Sequence, residues 1–103
     1  MTQSTMALIK YGDIVHVDFN TVRGKEIAKI RPAVIVSHDI LNRASQLCIV
    51  IPITGNIMKI LPFHIFIKKS KINGLSSDSK AIPEQIKSLD KIRITNKIGK
   101  LDG

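Results

Sequence analysis

The chain has 103 residues, a formal charge of +8 and a calculated pI of about 9.9. That length suits one hydrophobic core rather than two, and the basic balance points to nucleic acid or another anionic surface as partner. A single cysteine, Cys48, excludes a disulfide framework and fits a reducing compartment.

Residues 1–11 read as an approach to the first strand and residues 12–103 as one domain. Residues 1–12 lack the charged and long apolar regions of a secretory signal. No apolar run reaches the ~20 residues that span a bilayer, so a soluble, cytoplasmic protein without a membrane partner is expected. Helix signals are scarce; short Ile/Val-rich runs bounded by turn residues dominate, the pattern of small all-β domains.

Residues 13–19, DIVHVDF, alternate in part as a first strand. A basic loop follows with Arg23, Gly24, Lys25, Glu26 and Lys29, and it delivers Arg31 directly before Pro32. Proline disfavours the α region for the residue ahead of it, so Arg31 should be extended and fixed in direction. Residues 33–37, AVIVS, form a near-continuous apolar strand, and Asp39 can cap one helical turn after it.

Residues 47–53, LCIVIPI, make the next strand, ending in Thr54-Gly55-Asn56. Residues 63–69, FHIFIKK, alternate cleanly, and a further strand runs through residues 79–82, SKAI. Residues 84–93 space Ile86, Leu89 and Arg93 as a helix would, but strand and turn fit equally, with Ser88 as a possible cap. The tail TNKIGKLDG is polar and expected to be frayed or loosely packed. Five or so short strands with one or two helical turns indicate a small barrel, which removes exposed strand edges.

Three places carry candidate chemistry. The basic loop suits a phosphate-binding arm, although a solvated hairpin loop has the same composition. Thr54 at a strand end can donate to a phosphoryl oxygen or merely cap a turn. Glu84 and Gln85 lie beside Lys87, Lys91 and Arg93, where a carboxylate orients a cation or forms a weak surface pair. His16, His38 and His64 fall outside the basic loop and away from Thr54, so structural or surface roles are expected. Cys48 sits in an apolar run and reads as buried. HExxH, CxxC, carboxylate clusters, GxGxxG and GxxxxGK[ST] are all absent, which argues against a bound metal, a cofactor or NTP chemistry.

Three separated segments agree with one known family. Gly12-Asp13-Ile14-Val15-x-Val17-Asp18-Phe19, then Arg23-Gly24-x-Glu26 continuing to Ile30-Arg31-Pro32-Ala33-Val34-Ile35-Val36-Ser37, and Glu84-Gln85-Ile86-Lys87-Ser88-Leu89-Asp90-Lys91 resemble the MazF/PemK/Kid toxin endoribonucleases. Pro52-Ile53-Thr54 and Pro62-Phe63-His64 are similar to that family's middle strands.

The resemblance implies a mainly β, SH3-like barrel shared with the CcdB toxin, a homodimer, and a cognate antitoxin as partner. It also implies metal-independent cleavage of single-stranded RNA. Arg31 and Thr54 match the residues that carry the reaction, and Glu26 matches the loop glutamate. Asn20, Arg23, Lys25, Lys29, Glu84 and Gln85 are the expected RNA contacts.

Four departures stand out. The family commonly has an aromatic at His16, arginine at Lys87, and serine or threonine at Gly55. The sequence also stops at Gly103, before the C-terminal helix usual in relatives, so a weaker dimer or antitoxin site is expected. The alternatives are a gyrase-poisoning binding protein on the same fold, or a silent RNA- or antitoxin-binding remnant. The Arg31–Thr54 pairing favours the nuclease.

Overall fold

The computed structural model describes residues 8–19 and 29–102. Among the described residues, seven strands form one antiparallel system: β1 (Asp13–Asp18), β2 (Ile30–Ile35), β3 (Leu47–Thr54), β4 (Ile65–Ile67), β5 (Ser79–Ala81), β6 (Lys87–Asp90) and β7 (Ile94–Lys100). Their order is β4-β5-β3-β2-β1-β7, with β6 also pairing β3. Strand β3 is therefore the hub. Its first half pairs β6, its last two residues pair β5, and residues 50–52 pair β2.

The central strands β1, β2 and β3 carry apolar residues on both faces because both of their faces are covered. Val15, Val17, Ala33, Ile35, Cys48, Val50 and Ile94 fill one core, on which Phe19 and Leu89 pack. Ile14, Val34, Ile53, Leu75 and Ala81 fill the other. Consecutive residues such as Val34 and Ile35 enter opposite cores, as the period of two in a strand requires. Each fully buried Val or Ile contributes about 1.5–3 kcal/mol, so this double-sided sheet can hold a small domain together. The result is the small, curved, barrel-like β fold expected from the sequence, and the helical pieces among the described residues are short.

The α-helix among the described residues, α1 (Asp39–Ala44), corrects one expectation. His38, not Asp39, is its cap: His38 is extended and its Nδ1 accepts from Ile40 N–H at 3.0 Å. Asp39 is drawn elsewhere, accepting from Tyr11 N–H at 2.7 Å and from Asn42 Nδ2 at 3.2 Å. Residues 84–93 resolve as β6 between two 3-10 turns, Pro83–Gln85 and Lys91–Arg93. Asp90 caps the second turn by accepting from Ile92 N–H at 2.9 Å, while Ser88 sits in the strand.

The tail is also corrected, since residues 94–100 form a full strand against β1 rather than a frayed end. Two register shifts leave Thr95 and Ile98 unpaired, so β7 is bulged twice. A bulge resets which face a residue serves. Ile94 therefore enters the first core while Ile98 packs on the second, although both are even-numbered. Gly99 closes the contact: a Cβ there would lie 2.4 Å from the Ile72 carbonyl oxygen.

Candidate active site

One pole of the sheet gathers the end of β1, the start of β2 and the end of β3. On β2, Arg31 alternates with Ala33 and Ile35 and so shares their face. On β3, Thr54 alternates with Cys48, Val50 and Pro52. Ala33, Ile35, Cys48 and Val50 belong to one core, so Arg31 and Thr54 are carried onto the same side of the sheet. The ladder ends at Ala33 opposite Pro52. Continued by two residues, its register sets Arg31 level with Thr54.

Each side chain stands just beyond the core. Arg31 is exposed and has no hydrogen-bond or ion-pair partner among the described residues. Thr54 is half-buried, and its Oγ1 accepts from Asn56 N–H at 3.2 Å. The turn-capping role is thus real, yet it uses only a lone pair. The hydroxyl hydrogen has no acceptor among the described residues and stays available to donate.

More positive charge surrounds the pair. Lys29 is exposed, and its carbonyl accepts from Phe19 N–H at 3.0 Å. The Lys87 ammonium lies 5.1 Å from the centre of the Phe19 ring, a cation–π contact that anchors it at this pole. Lys80 faces Thr54 across the β3–β5 ladder, and Arg93 donates to the Asp18 carbonyl at 3.4 Å. The sequence reading missed Lys80, because only the ladder brings it beside Thr54. Asn20, Arg23, Lys25 and Glu26 lie outside the described residues.

The Pro83–Gln85 turn hangs from β3 through Ile82 N–H, which donates to the Pro52 carbonyl at 2.9 Å. Its Glu84 carboxylate is already engaged with His64, whose Nε2 is 3.0 Å away. His64 Nδ1 accepts from Leu61 N–H at 3.0 Å, so Nε2 carries the proton and donates to Glu84. Desolvation pushes the exposed Glu84 carboxyl up. The hydrogen bond from His64, a backbone amide and the nearby His64 and Lys80 outweigh this and hold it below the ordinary carboxylate range. Glu84 therefore orients a histidine rather than a lysine or arginine, a pairing absent from the sequence reading. The Gln85 side chain is exposed and has no partner among the described residues.

Cys48 is buried as expected. Burial pushes its thiol up to about 11, with Lys91 opposing and Asp90 adding to the effect. A thiol that is protonated at neutral pH is not a nucleophile.

A family model for PemK-like, MazF-like toxins of type II toxin–antitoxin systems matches residues 10–103. The chain belongs to that family. This toxin is 41% identical over 96 residues to endoribonuclease EndoA of Bacillus subtilis, spanning 92% of this chain and 82% of the relative. It is 41% identical over 92 residues to endoribonuclease MazF of Staphylococcus saprophyticus, spanning 88% and 76%. Its fold superposes on the Deinococcus radiodurans MazE–MazF crystal structure with a TM-score of 0.76, at 23% identity over 92% of this chain and 82% of that one. A mycobacterial endoribonuclease in complex with its cognate antitoxin has the same fold at a TM-score of 0.65 and 16% identity, over 94% and 80%.

Proposed function

We propose that this toxin is an endoribonuclease that cuts single-stranded RNA by using the RNA's own 2′-hydroxyl, with Arg31 and Thr54 holding the reacting phosphate. The observation that carries this reading is their placement. A cation without a side-chain partner and a hydroxyl hydrogen without an acceptor, both among the described residues, stand level on one face at a basic pole.

The chemistry asks little else of the protein. The 2′-oxygen bonds to phosphorus as its proton passes to a base, and the bond from phosphorus to the 5′-oxygen breaks, with that oxygen taking a proton from solvent to leave as a hydroxyl. Negative charge grows on the phosphoryl oxygens meanwhile. Arginine meets it with a planar fork of donors and stays cationic at physiological pH. Thr54 adds a neutral donor. Glu26 is the proposed acceptor of the 2′-proton or the group that orients Arg31. Asn20, Arg23, Lys25, Lys29 and Gln85 line the RNA track, and Glu84 serves it by fixing the turn that carries Gln85.

Relatives of this chain are endoribonucleases, and a structural neighbour is bound to its antitoxin. By that kinship the toxin acts in the cytoplasm as a homodimer that a cognate antitoxin restrains. No helix among the described residues is long and apolar enough to cross a membrane.

The test is to incubate the purified protein with a long single-stranded RNA in EDTA and map the ends. Cuts at a short motif, leaving an upstream 2′,3′-cyclic phosphate and a downstream 5′-hydroxyl, are expected. Intact RNA, or ends bearing a 3′-hydroxyl and a 5′-phosphate, would contradict the reading.

A further inference from the structure

We propose that a cavity on the opposite face of β2 and β3 is a nucleobase pocket that selects a base next to the cut, an inference that rests on the RNA-cleavage reading. The cavity has a volume of about 330 Å³, and its walls include His16, Pro32, Gly55, Leu75, Ser77 and Ile98. Two of these fix its place. Pro32 follows Arg31, and Gly55 follows Thr54. Because successive strand residues face opposite sides, the cavity opens one residue behind the phosphate site on both strands at once. An RNA strand that rounds the end of the sheet at the Arg31–Thr54 pole would turn its neighbouring base toward this recess.

The lining suits a base. Pro32, Leu75 and Ile98 offer apolar surface to the faces of a flat ring, and a few polar groups converge between them. His16 Nδ1 lies 3.1 Å from Asn96 Oδ1, which also accepts from the Thr95 hydroxyl at 3.0 Å. Assigned as an acceptor by those contacts, this oxygen leaves the proton on Nδ1 and makes Nε2 an acceptor. Nε2 has no partner among the described residues. Sequence reading gave His16 a structural or surface role; its Nδ1 has one, but its Nε2 does not.

Ser77 supplies the second polar group. It is exposed, its Oγ has no hydrogen-bond partner among the described residues, and a Cβ added to Gly55 would come within 3.1 Å of it. The absence of a side chain at Gly55 therefore leaves the Ser77 hydroxyl open to the cavity. The wall behind is rigid: buried Asn73 accepts from Ser70 N–H and Leu75 N–H, both at 3.0 Å, and donates to the Lys68 carbonyl at 2.9 Å. One acceptor and one hydroxyl in the same lining match the edge of an unstacked base. Single-stranded RNA is read in this way, with splayed bases hydrogen-bonded on their edges.

The test compares wild type, His16→Phe and Ser77→Ala on a single-stranded RNA pool randomised around one cut site. Base frequencies at each position flanking the mapped cut are the readout. Both variants are expected to lose about tenfold, or a large part, of the discrimination at one flanking position, the size of one hydrogen bond. Discrimination at the other positions should persist. Ser77 is exposed, so Ser77→Ala tests the pocket without endangering the fold. An unchanged base profile in both variants, or an equal loss at every position, overturns the inference.

If the wild type cuts no RNA, the cleavage reading fails by itself. The pocket is then decided by binding of oligonucleotides that carry a 2′-deoxy sugar at one position and differ in a single base. A base preference present in wild type and absent in His16→Phe supports it, and equal preferences overturn it.

Discussion

The two ends of β2 treat polar groups in opposite ways. Beyond Ile35, buried Ser37 and Asn42 close on each other. Ser37 Oγ donates to Asn42 Oδ1 at 2.5 Å, and Asn42 Nδ2 donates to the Ser37 carbonyl at 3.0 Å. Ser37 Oγ also accepts from Ile49 N–H at 3.1 Å, while the buried Lys91 ammonium donates to the Asn42 carbonyl. At the other end, Arg31, Lys29 and the Thr54 hydroxyl hydrogen close on nothing among the described residues. Buried polar groups must be satisfied, so the first set belongs to folding. Groups carried onto one face from separate strands and left open belong to something outside the chain.

The largest expected effect breaks the open end. Arg31→Ala should lower the cleavage rate by at least ~10²–10³, the range for removing a preorganised charge-stabilising donor. Its melting temperature should match wild type, since the side chain has no internal partner among the described residues. Arg31→Lys should recover little, because an ammonium cannot grip two oxygens in one plane. Thr54→Ala should cost about tenfold, as a neutral hydroxyl contributes less. Single-turnover kinetics beside thermal melts check all three.

The closed end should show the reverse. Asn42→Ala removes a fully buried amide and strands the Ser37 groups. It should cost ~2–3 kcal/mol, roughly 10 °C in melting temperature. The catalytic rate of the folded fraction should be preserved. A cleavage defect larger than the loss of folded protein would erase the contrast between the ends.

The smallest effect is acid sensitivity. The hydrogen bond from Tyr11 N–H, then that from Asn42, holds the Asp39 carboxyl below its ordinary value, against slight desolvation and with help from His38 and Arg43. A depressed folded pKa gives stability that is present above the unfolded value of ~4 and is lost as pH falls through the folded value. Asp39→Asn should flatten the stability curve in that acid window and leave it parallel to wild type near neutrality. Urea melts across pH 2–7 would show it.

Much of this architecture was legible in the chain because the central strands β1 to β3 carry apolar residues on both faces. Val34-Ile35 and Ile49-Val50 announce buried strands whatever their partners. Arg31-Pro32 was equally readable, since proline constrains its neighbour locally. What stayed hidden depends on pairing across the sheet. Lys80 meets Thr54 only through the β3–β5 register, and the His64–Glu84 contact joins residues 20 positions apart. Strand β7 was hidden for another reason: its two bulges break the alternation that marks a strand, so Ile94 and Ile98 looked like isolated apolar residues in a polar tail. The His38 cap was missed because aspartate is the stronger capping residue by composition, and the pull of Tyr11 on Asp39 is a tertiary contact.

The most direct test of the contrast between the two ends is an NMR titration with an RNA oligonucleotide that carries a 2′-deoxy sugar at the cut site and so stays whole. Amide shifts should concentrate on Lys29, Arg31, Thr54, Gly55, Lys80 and Lys87, with Ser37, Asp39 and Asn42 unmoved. Shifts centred on the Ser37–Asn42 end, with Arg31 and Thr54 silent, would contradict the account.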